Sequence, residues 1–123
     1  MQQYLTSEDF LRQMDKDKVI TGRFLINLSD ELVNDLDFNN ILFKNAEIHG
    51  GDFVSGIFLD CVFDNAVFNK SALVGVSFSR CHFKKCTFNH VQQEYEMDNC
   101  IIDQFVSTRN TSLSAEIMVN EGN

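Results

Sequence analysis

Between Leu36 and Val91 the chain places a large apolar residue at every fifth position. The series runs Phe38, Phe43, Ile48, Phe53, Phe58, Phe63, Phe68, Leu73, Phe78, Phe83 and Phe88. Nine of the twelve phenylalanines of the chain fall in this one register. Two residues before each lies a second register of small or apolar residues: Leu36, Ile41, Ala46, Gly51, Gly56, Cys61, Ala66, Ser71, Val76, Cys81 and Cys86. All charged residues of the stretch, and its histidines, occupy the other three registers. Two positions in five therefore point inward and three point at water. A helix repeats every 3.6 residues and would carry a period-five residue around its circumference. A straight strand needs period two, and here the phase slips at each fifth residue. An inward spacing of two, three, two, three is a short extended step followed by a corner. A chain that turns this regularly winds into a coil, and successive coils share backbone hydrogen bonds. The pattern predicts an all-β solenoid.

The units Asn45-Ala46-Glu47-Ile48-His49, Asp60-Cys61-Val62-Phe63-Asp64, Asn65-Ala66-Val67-Phe68-Asn69 and Lys85-Cys86-Thr87-Phe88-Asn89 resemble the pentapeptide repeat family. Spacing alone leaves the number of sides open. The resemblance implies a right-handed quadrilateral β-helix with four units, hence twenty residues, in each coil. About three to four coils follow, with interior columns Phe38/Phe58/Phe78, Phe43/Phe63/Phe83, Ile48/Phe68/Phe88 and Phe53/Leu73, their rings stacked face to offset face at strand spacing.

The ends depart from the repeat. Thr6 suits a helix N-cap with Asp9 at the third helical position, and Leu5 and Phe10 are spaced as a hydrophobic staple. Phe10, Leu11 and Met14 then make one apolar face through about Asp17, which predicts a short capping helix. Val19 to Leu28 reads as a strand leading into the first coil, with Ile26 and Leu28 already in frame and Glu31 at an inward position that does not suit it. After His90 the frame breaks at Gln93. It resumes one residue early, with Tyr95/Met97, Cys100/Ile102 and Phe105 inward. The expected organisation is a capping helix and lead-in strand over 1–25, the repeats over 26–107, and a tail or cap over 108–123, polar apart from Leu113, Ile117 and Met118.

Composition narrows function more than it defines it. The net charge is −8, carried by the ends: residues 1–35 contribute −3, residues 36–90 zero and residues 91–123 −5. An acidic chain is a poor ligand for nucleic acid. The first eight residues lack the basic and apolar regions of a signal peptide, and no apolar run is long enough to span a bilayer, so a cytoplasmic setting without membrane contact is expected. Cys61, Cys81 and Cys86 read as small buried hydrophobes, Cys61 stacked on Cys81. The spacing of Cys81, His82, Cys86 and His90 invites a zinc reading. The coil opposes it, because two of these groups point inward and two outward, so no metal and no cofactor is expected. The glycosylation acceptors at Asn27, Asn69 and Asn110 read as chance matches, and Asp60 and Asp64 as a surface pair without a cleft. An ion-pair column Lys44/Asp64/Lys84 is expected on the wall.

Leu42, Val54, Ile57, Leu59, Val62 and Val74, with Val67, are apolar in outward registers and form the candidate interaction surface. The leading expectation is a non-catalytic, rigid protein–protein interaction scaffold with an unidentified protein partner or a second copy of itself as a homodimer. The alternative is a modulator of DNA gyrase or topoisomerase that imitates duplex DNA, as some members of the resembled family do. Imitation calls for a long acidic stripe, whereas these repeats are neutral and short. A deep pocket holding Asp60 or His82 would instead mark an enzyme.

Overall fold

A computed structural model of the protein describes residues 3–27 and 31–109. Most of them lie in parallel strands that form a β-solenoid of about four turns, with one short helix near the N-terminus. The strands are β1 (Val19–Ile26), β2 (Asp37–Asn39), β3 (Leu42–Gly50), β4 (Ile57–Leu59), β5 (Val62–Asn69), β6 (Ala72–Ser79), β7 (His82–Asp98), β8 (Ile101–Ile102) and β9 (Phe105–Arg109). One run of walls stacks β1, β3, β5 and β7, with β8 and β9 on the far edge of β7. The other stacks β2, β4, β6 and the later part of β7.

The twenty-residue coil is visible in the register. Phe38 pairs with Phe58 and Phe58 with Phe78. Phe43 pairs with Phe63 and Ile48 with Phe68. Phe63 then pairs with Phe83 and Phe68 with Phe88. All eleven residues of the large apolar register are buried, none more than 1% exposed. In the first two columns the rings stack nearly parallel. Phe38–Phe58 and Phe58–Phe78 centroids lie 4.3 and 4.7 Å apart at 4° and 20°; Phe43–Phe63 and Phe63–Phe83 lie 4.8 and 4.7 Å apart at 14° and 8°. Strand spacing of about 4.8 Å and offset ring stacking are thus met by one dimension.

The third column departs from the face-to-face expectation. Phe68 and Phe88 meet edge-on at 73°. Ile48 offers Phe68 no ring to stack on, and the two rings take edge contacts from neighbouring columns instead: Phe53 on Phe68, Tyr95 and Phe105 on Phe88. Edge-to-face packing is as favourable as offset stacking for a buried ring.

The corners have their own chemistry. From 35 to 90, every fifth residue has a positive φ except Lys85. Left-handed backbone there turns the wall and costs an ordinary residue about 1–2 kcal/mol, least for Gly, Asn and Asp. The register contains Asp35, Asn40, Asn45, Gly50, Asp60, Asn65 and Gly75, but also Lys70, Arg80 and His90. At Gly50 the need is absolute, because a Cβ would collide with the Ile26 carbonyl.

The described ladder departs from twenty at both ends. Thr6 and Asp9 form a reciprocal capping box that starts α1 (Ser7–Arg12), and the helix continues as a π-helical segment Gln13–Asp17. Phe10 is fully buried, with Phe24, Phe38 and Phe53 within 6.0 Å of its ring centre, so α1 seals the first coil. Leu5 bridges the open edge of β1 through hydrogen bonds to Arg23 and Leu25 of 2.7 and 3.0 Å. The ladder begins at Val19, inside the segment expected only to lead in. Ile20 pairs with Phe43 and Phe24 with Ile48, so this first turn spans 23 to 24 residues.

At the other end the frame slips by one. Val74 pairs with Glu94 but Val76 with Tyr95, so Gly75 has no partner, and Phe78 meets Met97 nineteen residues on. Tyr95, Met97 and Cys100 are buried, and Ile102 and Phe105 pack on the core. Leu28, Ser29 and residues 110–123, including the Asn110 acceptor and Leu113, Ile117 and Met118, lie outside the described residues, as do the side chains of Glu31 and Gln93.

Two substitutions separate core from corner. Phe63→Ala removes a ring stacked on both sides and is expected to cost about 3–5 kcal/mol in urea denaturation. Lys70→Asn relieves left-handed strain at a solvent-exposed corner and is expected to raise stability by up to about 1 kcal/mol in the same measurement.

Candidate interaction surface

With the interior filled, chemistry on this molecule has to be read from its walls. Each wall shows two outward columns between corners. On the β3–β5 wall the central column is Val19, Leu42, Val62, His82 and Ile101, aligned by backbone pairing. On the β2–β4–β6 wall it is Asp37, Ile57, Ser77 and Glu96. Across the next corner from the first of these stand Arg23, Glu47, Val67, Thr87 and Val106.

The apolar residues Leu42, Val54, Ile57, Leu59, Val62 and Val74, with Val67, therefore do not collect on one side. Leu42 stacks on Val62, while Ile57 and Leu59 have only Asp37, Asn39, Ser77 and Ser79 above and below. Period-two outward positions separated by corners distribute a contiguous sequence run around the rod. Of the seven, only Ile57 is strongly exposed, at 44%. Ile101 and Val106, in the last coil, are more so, at 50% and 60%.

A polar cluster that the sequence did not single out sits beside β1 and β3. Arg23 donates through Nε to Glu47 at 3.0 Å, and His49 Nε2 lies 2.6 Å from the other carboxylate oxygen. Asn69 donates to His49 Nδ1 at 3.1 Å, which leaves the proton on Nε2 facing Glu47. Tyr4 covers the group: the Arg23 guanidinium stacks 4.8 Å from its ring centre and donates to its hydroxyl, and the ring meets His49 edge-on. Partial burial works against ionisation of Glu47, but the His49 hydrogen bond and the Arg23 charge win and hold its pKa down. A shallow depression of about 300 Å³ lies alongside, between Arg23, Asn45, Glu47 and Asn65. Only the twenty-residue spacing of His49 and Asn69 could have signalled this cluster, because Arg23 lies before the regular repeat and Tyr4 before the helix.

Asp60 is taken by Arg80, which grips both carboxylate oxygens at 3.0 and 3.1 Å and lowers its pKa. Asp64 stands at the far end of the wall that Asp60 opens, just before the corner at Asn65, and among the described residues no hydrogen bond joins the two carboxylates. The expected column Lys44/Asp64/Lys84 does not close: Asp64 is in register with Lys44 and Lys85, and among the described residues it joins no ion pair. Loss of the left-handed corner at Lys85 shifts the pairing there. His82 turns outward to Asp103 at 2.7 Å, while Cys81 and Cys86 are buried, so the residues of the zinc reading face opposite sides of one wall.

The thiols belong to the packing. Cys61, Cys81 and Cys100 stack in one column, each donating to the carbonyl of the phenylalanine one coil back: Phe38, Phe58 and Phe78, at 3.3, 3.2 and 3.5 Å. Cys100 works to lower the pKa of Cys81, but Cys61 and burial outweigh it and push it up to about 12. Cys61 is lowered by the Cys81 contact, Cys100 is raised by its own contact with Cys81 and by burial, and burial raises Cys86. A small residue with a weak donor suits a position that must clear the corner yet satisfy a carbonyl.

Coil geometry, inward and outward registers and corner residues define a β-solenoid repeat protein. A family model described as pentapeptide repeats (8 copies) matches residues 61–92, and this stretch is a pentapeptide-repeat array. No curated protein and no solved structure gives a match to the chain. Among the described residues no helix is long and apolar enough to cross a membrane.

The thiol column carries a prediction. In native protein, a thiol-titrating reagent at pH 8 is expected to modify the four cysteines only at the rate of unfolding, and all four promptly in guanidinium.

Proposed function

We propose that this chain is a non-catalytic pentapeptide-repeat protein that serves as a rigid scaffold for protein–protein contact through its outer walls. The observation that carries this reading is the ring-filled interior. The eleven large side chains of the repeat are buried against one another, and α1 and Phe10 occupy the open end of the first coil. Groups capable of acid–base chemistry are bonded along the wall, Asp60 to Arg80, Glu47 to Arg23 and His49, His82 to Asp103. A wall built on stacked rings gives up little entropy when it binds, and that favours recognition by a preformed surface. Imitation of duplex DNA is not favoured, because residues 36–90 carry no net charge and offer no continuous acidic stripe.

The test is affinity capture of the tagged protein from its native cells. One protein partner is expected at near-stoichiometric yield, recovered equally by Lys70→Asn and lost when the charges of one wall are reversed in a variant with a normal melt. Recovery insensitive to every wall would sink the scaffold reading, and a DNA gyrase supercoiling assay showing inhibition at micromolar protein would replace it with the DNA-imitating one.

A further inference from the structure

Three of the four buried thiols form one column, and they stand at a spacing that sulfur chemistry can use. Cys61, Cys81 and Cys100 follow one another coil by coil. The ladder bonds beside them fix the register: His82 N–H donates to the Cys61 carbonyl and Ile101 N–H to that of Cys81, both at 2.9 Å. Cys86 stacks instead between Ala66 and Phe105, so no sulfur adjoins it along its column. Parallel strands about 4.8 Å apart bring paired Cα atoms within the span of a disulfide, about 4.4–6.8 Å. Side chains in register on parallel strands point the same way, so their Cβ atoms keep the strand spacing. A disulfide wants them at about 3.5–4.5 Å, and one coil has to close on the other by a few tenths of an ångström.

Cys81 touches both neighbours in the column, and the stiffness of the coils chooses between them. Cys61 and Cys81 belong to coils clamped together by stacked rings, Phe58 on Phe78 and Phe63 on Phe83. Over those same columns the last coil brings Met97 onto Phe78 and Ile102 onto Phe83. Its strand there, Ile101–Ile102, is two residues long and follows a left-handed corner at Asn99. Cys100 is thus the thiol that can move toward Cys81. Unfolding that begins at this coil uncovers it first, and reaction waits on that opening.

We propose that Cys81 and Cys100 are a redox pair, which a small disulfide of the glutathione class converts into an inter-coil disulfide that fastens the last coil. The Cys100 thiolate attacks one sulfur of the small disulfide and releases the other half as a thiol. As the coil closes, the Cys81 thiolate attacks the Cys100 sulfur and expels the second half. Two protein thiols lose two electrons and two protons, and one small disulfide becomes two thiols. Closure takes a sulfur from its hydrogen bond to a phenylalanine carbonyl, Phe58 for Cys81 or Phe78 for Cys100. That loss and the stretched Cβ separation strain the bond, so it is readily reduced when small thiols are in excess. Oxidised, the coil carrying Ile101 and Asp103 is held covalently to its neighbour; reduced, it depends on packing and backbone pairing. The pair goes beyond the scaffold reading and does not depend on it.

The test incubates the full chain with excess glutathione disulfide at pH 8 without denaturant, followed by alkylation, digestion and mass spectrometry. A Cys81–Cys100 crosslink is expected, with Cys61 and Cys86 recovered in alkylated form. The Ile101 and Asp103 amides of the oxidised protein are expected to exchange about tenfold more slowly, and excess reduced glutathione to restore the original rate. Cys61→Ala is expected to leave the crosslink in place and Cys100→Ala to abolish it. Four free thiols, a Cys61–Cys81 crosslink, or a glutathione adduct left unresolved on Cys100 overturns the proposal. So does a crosslink that forms only in guanidinium. If a substitution disturbs the melt, crosslink mapping and amide exchange on the wild type decide alone, and exchange unchanged by oxidation overturns it.

Discussion

The molecule depends on one coincidence of lengths. Parallel strands sit about 4.8 Å apart because hydrogen bonds between backbones set that distance, and aromatic rings stack at nearly the same separation. A residue repeated once per coil thus stacks its ring while its backbone pairs, with no compromise between the two. Phe38, Phe58 and Phe78 do this with ring planes within 20°, and Phe43, Phe63 and Phe83 within 14°. Where the register places Ile48 beneath Phe68 the arrangement gives way to edge contacts, and the backbone ladder continues unchanged. The hydrogen bonds hold the coil and the rings choose their own geometry within it.

That hierarchy explains how the rod ends. Interior pairing tolerates only the twenty-residue turn, so a chain that must stop has to break the count. At the start, the first turn runs 23 to 24 residues and leaves room for Phe10 to enter from α1 against Phe24 and Phe38. At the finish, the slip at Gly75 shortens the last turn to nineteen. It also moves Tyr95 and Phe105, larger than the Val76 and Cys86 they pair with, into the small register. Bulk thus enters the small register, where both rings pack on the core.

The legible part of this structure was whatever repeats. Eleven large residues at one spacing announce a buried column, and the small register two positions earlier announces the side of the wall. The resumption of the frame at Tyr95 and Met97 could be read for the same reason. Edge-on packing of Phe88 could not, since it depends on Tyr95 and Phe105 arriving from another turn. The corner register was available but silent: Asn40, Asn45, Asp60 and Asn65 suit left-handed backbone, yet Lys70, Arg80 and His90 hide the rule. The cluster of Tyr4, Arg23, Glu47 and His49 brings together residues from before and within the repeat, and no periodicity links them. Nor does pattern alone distribute the outward valines and leucines, because neighbours in sequence part company at every corner.

Of each five residues, two are spent on the interior and one on the corner. Two remain for recognition, one in each outward column of a side. A side four coils tall therefore has about eight positions with which to specify a partner, fixed on a rigid grid. On such a grid specificity has to come from order along a column rather than from shape, since every coil presents the same backbone outline. A column of one sign attracts any opposite charge and distinguishes nothing. A column alternating in sign is satisfied only by the complementary sequence at the same spacing. Lys44, Asp64 and Lys85 follow one another in alternating order on the wall, the last by way of the shifted pairing at the missing corner.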